Sequence, residues 1–421
     1  MKQSSKYSFF PWRLIRAAFM GKSSIDTPYL AIGSIEEAEY FISRYGYDWS
    51  NPEHQAFLIK AYNRGLEFVQ EQLIDPFPEE LVIPEPIRKC TDMRQLVFWA
   101  NPKAFHRKIQ LWACAMLKVC HTILHLENDF LIDYFQEARR QIFERFDGHL
   151  FVDSENKIYL GQDKENLIPL HHFEVKKEKN FNSRLIKLLH KAENTSATIH
   201  DRIGVRMVAV NFTDTVAAFS YLAKTKIVVI SNIAATRSKN TLLNLDKYQI
   251  FMNRLLKKFA AGTISLEEIE KKTQMEFDRN DYLIENPVIQ EINPHTLGGF
   301  KAIQFTCRHL VRFQNPTYTR LNELKEKMLR EKSSPYLIED VDSILESTKR
   351  EIRFFFPFEI QLMDKEAWDQ NQHGEASHHE YKQAQLMTAR KRVLGKLLCM
   401  TEEEIEASQA RLQARISNTM V

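Results

Sequence analysis

The residues best equipped for chemistry crowd into one stretch, Phe354 to Lys382, which reads FFFPFEIQLMDKEAWDQNQHGEASHHEYK. An apolar run ends in a carboxylate, Glu359, and a polar segment follows that carries His373, His378, His379, Tyr381 and Lys382. A buried strand that delivers an acid into a polar cleft can supply a general base or a metal ligand. Three other stretches hold partners for it. VKKEKNFNSRLIKLLHK brings Lys176, Lys177, Lys179, Arg184, Lys187 and Lys191 to the start of a helix, with Lys187 and Lys191 one turn apart. Cations at a helix N-terminus suit a polyphosphate, although a solvated basic face gives the same pattern. HDRIGVRMVAV sets Asp201 and Arg206 around the start of a strand, where Asp201 could be a magnesium ligand or a turn cap. In TLGGFKAIQFT, Gly298 and Gly299 permit a tight turn, and Phe300 after them could stack on a nucleobase or fill a core.

The elements that must position these residues follow from periodicity. RMVAVNF, KIVVISN, AIQFTCRHLVRF and EIRFFFPFEIQLM are the strand candidates, rich in β-branched and aromatic residues. SRLIKLLHKA, TDTVAAFSYLAK and KYQIFMNRLLKKF, lying between them, read as helices. The alternation predicts a mixed sheet flanked by helices, an α+β or α/β domain over 151–400, with a charged helical insertion near 240–280. Residues 1–150 read as a helical domain. Ser34 followed by Glu37 has the spacing of a capping box, a longer helix runs from Pro52 toward Leu73, and DPFPEELVIPEPIRK is a proline-rich connector. His121, His125 and Asp129 recur at one-turn spacing and could bind a metal, or line the packed face of a bundle helix. Residues 401–421 read as a polar helical tail.

Composition narrows the function classes. A net charge of +3 does not imply an obligate nucleic-acid binder. Five scattered cysteines without a CxxC pair argue against a disulfide framework or structural zinc, and predict a reducing, cytoplasmic setting. Arg13 and Arg16 interrupt the apolar start, so neither a signal peptide nor a transmembrane segment is expected.

The order of the four chemical stretches resembles the synthetase domain of the RelA/SpoT family, which makes guanosine tetra- and pentaphosphate alarmones. The family's RxKxxxS element is similar to Lys177-Glu178-Lys179-Asn180-Phe181-Asn182-Ser183, its DxxGxR to Asp201 through Arg206, and its NGYQSLHT turn to Gly298 through Phe305. EIQIRT and the AExGxAAHWxYK helix are similar to Glu359-Ile360-Gln361 and to Gly374, Ala376, His378, Tyr381 and Lys382, without a gap. The resemblance spans about Phe173 to Gly395. It implies a nucleotidyltransferase-like synthetase fold and transfer of pyrophosphate from ATP to the 3′-hydroxyl of GDP or GTP. Asp201 and Glu359 would hold magnesium, and Glu359 would help deprotonate the hydroxyl. Lys177, Lys179, Lys187 and Arg206, with Ser183, would meet the ATP phosphates. Phe300 would stack on the acceptor base, and Gln361, His378 and Lys382 would line the cleft. The chain departs from the family pattern at Met363, Asp364, Gln304, Asn371 and Gln372, all on the acceptor side. Two alternatives stand beside this expectation: the same transfer to another nucleotide or to a tRNA 3′ end, and a catalytically degenerate module that senses nucleotides or binds protein. The 176–191 basic run leaves RNA open as a partner.

Overall fold

The computed structural model describes residues 29–77, 81–102, 106–162, 166–176, 180–191, 202–277, 300–373 and 378–399, without the side chains of 270, 274, 276, 277, 373 and 378–381. Two compact units form, and both are discontinuous in sequence: 1–129 with 179–199 and 379–421, and 130–178 with 200–378. Sequence periodicity set a boundary near 150; the units divide at 129/130 and exchange the chain again around the Phe181–Leu189 helix.

The first unit is helical. Ser34 caps its Ile35–Ser43 helix by accepting from the Glu37 N–H, and the Glu37 carboxylate reaches back to the Gly33 N–H at 2.7 Å. The first bond satisfies a donor that a helix start leaves open, and the second ties down the residue before the cap. Asn51 caps Pro52–Phe68, which runs on into a π-helical turn at Val69–Ile74. Its Gly65 faces Val119, Ile123 and Met116 of the Arg107–Glu127 helix closely enough that an added Cβ would lie 3.3 Å from the Val119 methyl. The Arg107–Glu127 helix is long and apolar enough to cross a membrane, with mean hydropathy 1.3, but 72% of that window is buried. Trp112, Met116, Val119 and Ile123 fill the helical core, so its hydropathy is that of a central bundle helix. His121 and His125 pack edge to face on the same helix, 4.6 Å between ring centroids, and burial pushes His121 down to about 4. No group of three or more His, Cys, Asp and Glu side chains able to hold a metal occurs among the described residues. All five cysteines are free thiols.

The second unit is a seven-stranded mixed sheet with flanking helices. Its strands are β1 (Leu150–Val152), β2 (Ile158–Leu160), β3 (Ile168–Val175), β4 (Ile203–Ala209), β5 (Lys239–Asn240), β6 (Ile303–Gln314) and β7 (Glu351–Asp364). They lie in the order β1-β2-β3-β4-β7-β6-β5, and β4 with β7 is the parallel pair. One face packs Val205, Met207, Phe305, Phe356, Phe358, Ile360 and Leu362 against the Phe135–Phe143 and Phe212–Lys224 helices. Each fully buried phenylalanine contributes about 1.5–3 kcal/mol from apolar burial. The Leu245–Ala260 and Leu266–Phe277 helices follow β5, in the span read as a helical insertion.

Two expectations change. KIVVISN is not a strand: Lys226 turns the chain with φ 63°, Ile227 and Val228 plug the sheet core, and Ile230–Asn232 is a 3-10 turn. Pairing there is reduced to a bridge from Ile233 to Cys307. Ile168–Val175, which the sequence reading passed over, is a strand interleaved between β2 and β4. Its histidines and proline hide an alternating pattern that pairing on both sides stabilises.

Candidate active site

β7 does not end at Glu359 but runs five residues further, to Asp364. The acid therefore sits mid-strand and is displayed by alternation. Phe358, Ile360 and Leu362 face the core, while Glu359 and Gln361 face the opposite side of the sheet. In-register pairing assembles two polar rows across this face. One runs Glu174–Arg206–Gln361–Gln304–Lys239 through β3, β4, β7, β6 and β5. The next runs Gly204–Glu359–Thr306 through β4, β7 and β6.

Glu359 is the centre of this face. Its side chain is 8% exposed, and Lys176 Nζ lies 2.7 Å from Oε2. Gln361 Nε2 donates to the same oxygen at 3.2 Å, and Gln304 Nε2 donates to Oε1. A carboxylate so far from water requires such donors, because burying an unpaired charge costs several kcal/mol. Lys176 follows the end of β3 and reaches Glu359 by crossing over β4. The crossing is possible because β4 has glycine there: a Cβ on Gly204 would lie 2.6 Å from the lysine Cδ and 3.2 Å from its Cγ. The backbone N–H of Lys176 donates to the Gly204 carbonyl, which fixes the stem over that gap.

Lys239, on the two-residue edge strand, brings a second cation. Burial lowers its pKa, the Glu359 carboxylate pulls the other way, and Arg237 adds repulsion. Neither Lys239 nor Arg237 has an ion-pair partner among the described residues. Arg206 is more fully occupied. It pairs with Glu174 at 3.0 Å, donates from Nε to Gln361 Oε1 at 3.2 Å, and lies over the Trp368 ring. Trp368 in turn packs on His172, 5.4 Å between centroids.

Met363, Asp364 and Asn371, three of the positions that depart from the resembled pattern, have local structural roles. Met363 is buried in an apolar cluster with Val208, Phe212, Leu242, Tyr248 and Ala302. Phe300 is half-buried against the same cluster. Asp364 accepts from the Ala367 N–H at 2.9 Å and so caps the Lys365–His373 helix. Asn371 clamps the chain beside Phe300, accepting from the Lys301 N–H and donating to the Lys301 carbonyl, both at 2.9 Å. Thr241 holds the same segment from the other side through the Phe300 carbonyl and the Ala302 N–H.

Burial pushes the Asp364 carboxyl above its usual range, and the Ala367 N–H offsets this in part. A carboxyl raised in the folded state binds more protons folded than unfolded, so it makes stability fall as pH rises through the window above 3.8. Asp364→Asn keeps a capping oxygen and removes that slope; its melting temperature at pH 7 is expected to equal or exceed the wild type. Asp364→Ala loses the cap and is expected to cost about 0.5–2 kcal/mol. Thermal melts of both variants at pH 4 and pH 7 test this, and a lower melting temperature for the Asn variant at pH 7 would count against it.

Of the residues singled out from sequence, Glu359, Gln361 and Arg206 meet on one sheet face, and Phe300 lies just before β6 of that sheet. Ser183 and Lys187 lie on the Phe181–Leu189 helix of the helical unit, which also contains the exposed Lys382. Asp201, Lys177 and Lys179 lie outside the described residues, as does the side chain of His378. Sequence reasoning named Lys176 within the basic run but gave it no role at the acid, and it left Glu174, Lys239 and Trp368 out of the site. Lys176 adjoins the two lysines that were chosen, and the glycine in Asp201-Arg202-Ile203-Gly204 was the signal for a side chain crossing at close range. No protein-family model matches the chain, and searches of curated proteins and of solved structures return no match.

Proposed function

We propose that the sheet unit is the catalytic part of a magnesium-dependent ATP:nucleotide 3′-pyrophosphokinase of the alarmone-synthetase type, built on a nucleotidyltransferase-like fold. One observation carries the reading. The stretches around Arg206, Gln304 and Glu359, distant in sequence and each tied to a RelA/SpoT motif, occupy adjacent strands, and their polar residues fall into two neighbouring rows. A shared fold would bring those motifs together in this way.

In this reading Glu359 accepts the proton of the attacking hydroxyl. Lys176, Gln304 and Gln361 hold the carboxylate in place. Lys239 and Arg237 offer positive charge to the phosphates, the main requirement of phosphoryl-type transfer. Arg206, committed to Glu174 and Gln361, supports the row from the β4 side. Magnesium is often held by only one or two carboxylates together with substrate phosphates and water; the resemblance implies Glu359 as one, and to take the ion Glu359 would exchange one of its side-chain donors for it. Asp201 is the other carboxylate the resemblance implies. A bound magnesium ion would supply charge neutralisation on the phosphates.

The test is incubation of the full chain with ATP, magnesium and, separately, GDP, GTP, other nucleotides or total tRNA, with products identified by mass spectrometry. A product heavier than its acceptor by a pyrophosphoryl group, with AMP released, is expected. ATP that stays intact with every acceptor overturns the reading. A second reading, a nucleotide-binding module without turnover, draws support from the Glu359 carboxylate being closed on both oxygens by side-chain donors. It predicts nucleotide binding and no AMP.

A further inference from the structure

Beyond the site, β6 and β7 continue as a two-stranded ribbon. Their register is unbroken from Ile303↔Leu362 to Gln314↔Glu351, so alternate residues keep to one face throughout. The face that carries Gln304, Thr306, Glu359 and Gln361 therefore also carries Arg308, Leu310, Arg312, Arg353 and Phe355. The opposite face is apolar, with Val311, Phe313, Phe354 and Phe356 packed on the core and Phe313 stacked on Phe354.

A solvent face needs only to be polar, and this one is more specialised. All three arginines are exposed, and Phe355 is 53% exposed opposite Leu310. Arg312 and Arg353 are direct cross-strand partners, an arrangement that costs stability because like charges face each other. Glu351 takes Arg353 through two hydrogen bonds, at 2.8 and 2.6 Å. Arg308 and Arg312 have no ion pair among the described residues. The ribbon thus presents uncompensated guanidinium groups on either side of an aromatic ring, in line with Glu359.

We infer that this ribbon face is a docking track for a single-stranded polynucleotide, with Arg308 and Arg312 on phosphates and Phe355 stacked on a base. Guanidinium groups pair with phosphate oxygens in a bidentate fashion, and an exposed ring stacks on any base. From Phe355 to Glu359 the strand rises about 14 Å, so a chain lying on the track has its end near the acid. Binding to the track stands by itself. That the end of the polynucleotide serves as the 3′-hydroxyl acceptor rests on the function proposed above.

The experiment uses the full chain and a fluorescent 12-nucleotide RNA of mixed sequence, with the DNA counterpart as a second probe, followed by anisotropy between 50 and 200 mM salt. Arg308→Gln with Arg312→Gln is expected to weaken binding at least tenfold at 50 mM salt and to flatten the salt dependence by one to two units of slope. Phe355→Ala is expected to weaken it about tenfold and leave the slope unchanged. All three side chains are exposed, so melting temperatures should not fall. Absence of binding, or variants that bind as the wild type does, overturns the track. So does a wild type that ignores both oligonucleotides but binds phosphatidylserine vesicles through the same arginines. Transfer to a mononucleotide, measured in the same variants, separates the two ideas: if transfer persists while RNA binding is unaffected, the track fails and the transfer reading stands.

Discussion

Glu359→Gln is expected to leave the chain folded and to reduce ATP-dependent transfer about 10²–10⁴-fold, the range for losing a positioned acid–base group. The substitution keeps the side-chain volume and removes the charge. Gln304 and Gln361 both aim amide donors at this position, and Lys176 adds an ammonium. A glutamine amide can accept with its oxygen, but its NH2 must then face a donor. A stability cost of about 1–3 kcal/mol is therefore expected beside the loss of activity. Glu359→Asp is the useful control: it keeps the charge and withdraws it by one methylene, so it should melt nearer to the wild type and still transfer poorly. Urea denaturation and AMP release with each acceptor read the two effects separately. A folded Glu359→Gln protein with full transfer activity would remove Glu359 from the mechanism.

The second large effect concerns the crossing of Lys176 over Gly204. Lys176→Met leaves a nearly buried carboxylate without its cation, and removing one partner of a buried pair typically destabilises by about 3–5 kcal/mol. Gly204→Ala reaches the same pair from the other side. Gly204 is a strand residue without a positive φ, so alanine suits the backbone and by itself would add about 0.5–1 kcal/mol. The new methyl, however, takes the place of the lysine stem. We expect a net loss for Gly204→Ala, together with reduced transfer. The double variant should be little worse than Lys176→Met, because a methionine that holds no ion pair can swing away from the methyl. A double-mutant cycle measures this directly. If the two losses add, the glycine and the lysine act independently and the crossing is not what holds Glu359.

Much of the sheet unit could be read from local pattern. EIRFFFPFEIQLM alternates so regularly that its core face and its polar face follow from period two alone, and Glu359 and Gln361 fall on the same side. Ser34 and Glu37 marked a helix start because capping is a contact within one turn. Arg206 was found because its motif is compact. What could not be read was the partner each residue would take. Of three lysines in Lys176-Lys177-Glu178-Lys179, the one that meets Glu359 is set by how β3 registers on β4 and by the gap at Gly204. A shift of one residue would have turned another lysine to that face. Arg206 looked like a phosphate ligand, yet Glu174 stands beside it in the next strand. Lys239 comes from a strand of two residues, too short for any periodicity.

The sequence alone thus determined most of the elements, though not KIVVISN or Ile168–Val175, together with the acid and the strand face on which each charged group lies, because those depend on neighbours one to four residues away. Only the tertiary structure decided which cation holds Glu359, which arginine is spoken for, and that the arginines of β6 and β7 share a face with the candidate site. Those outcomes depend on strand order and register, set by packing between segments well separated in sequence, and no local pattern encodes them.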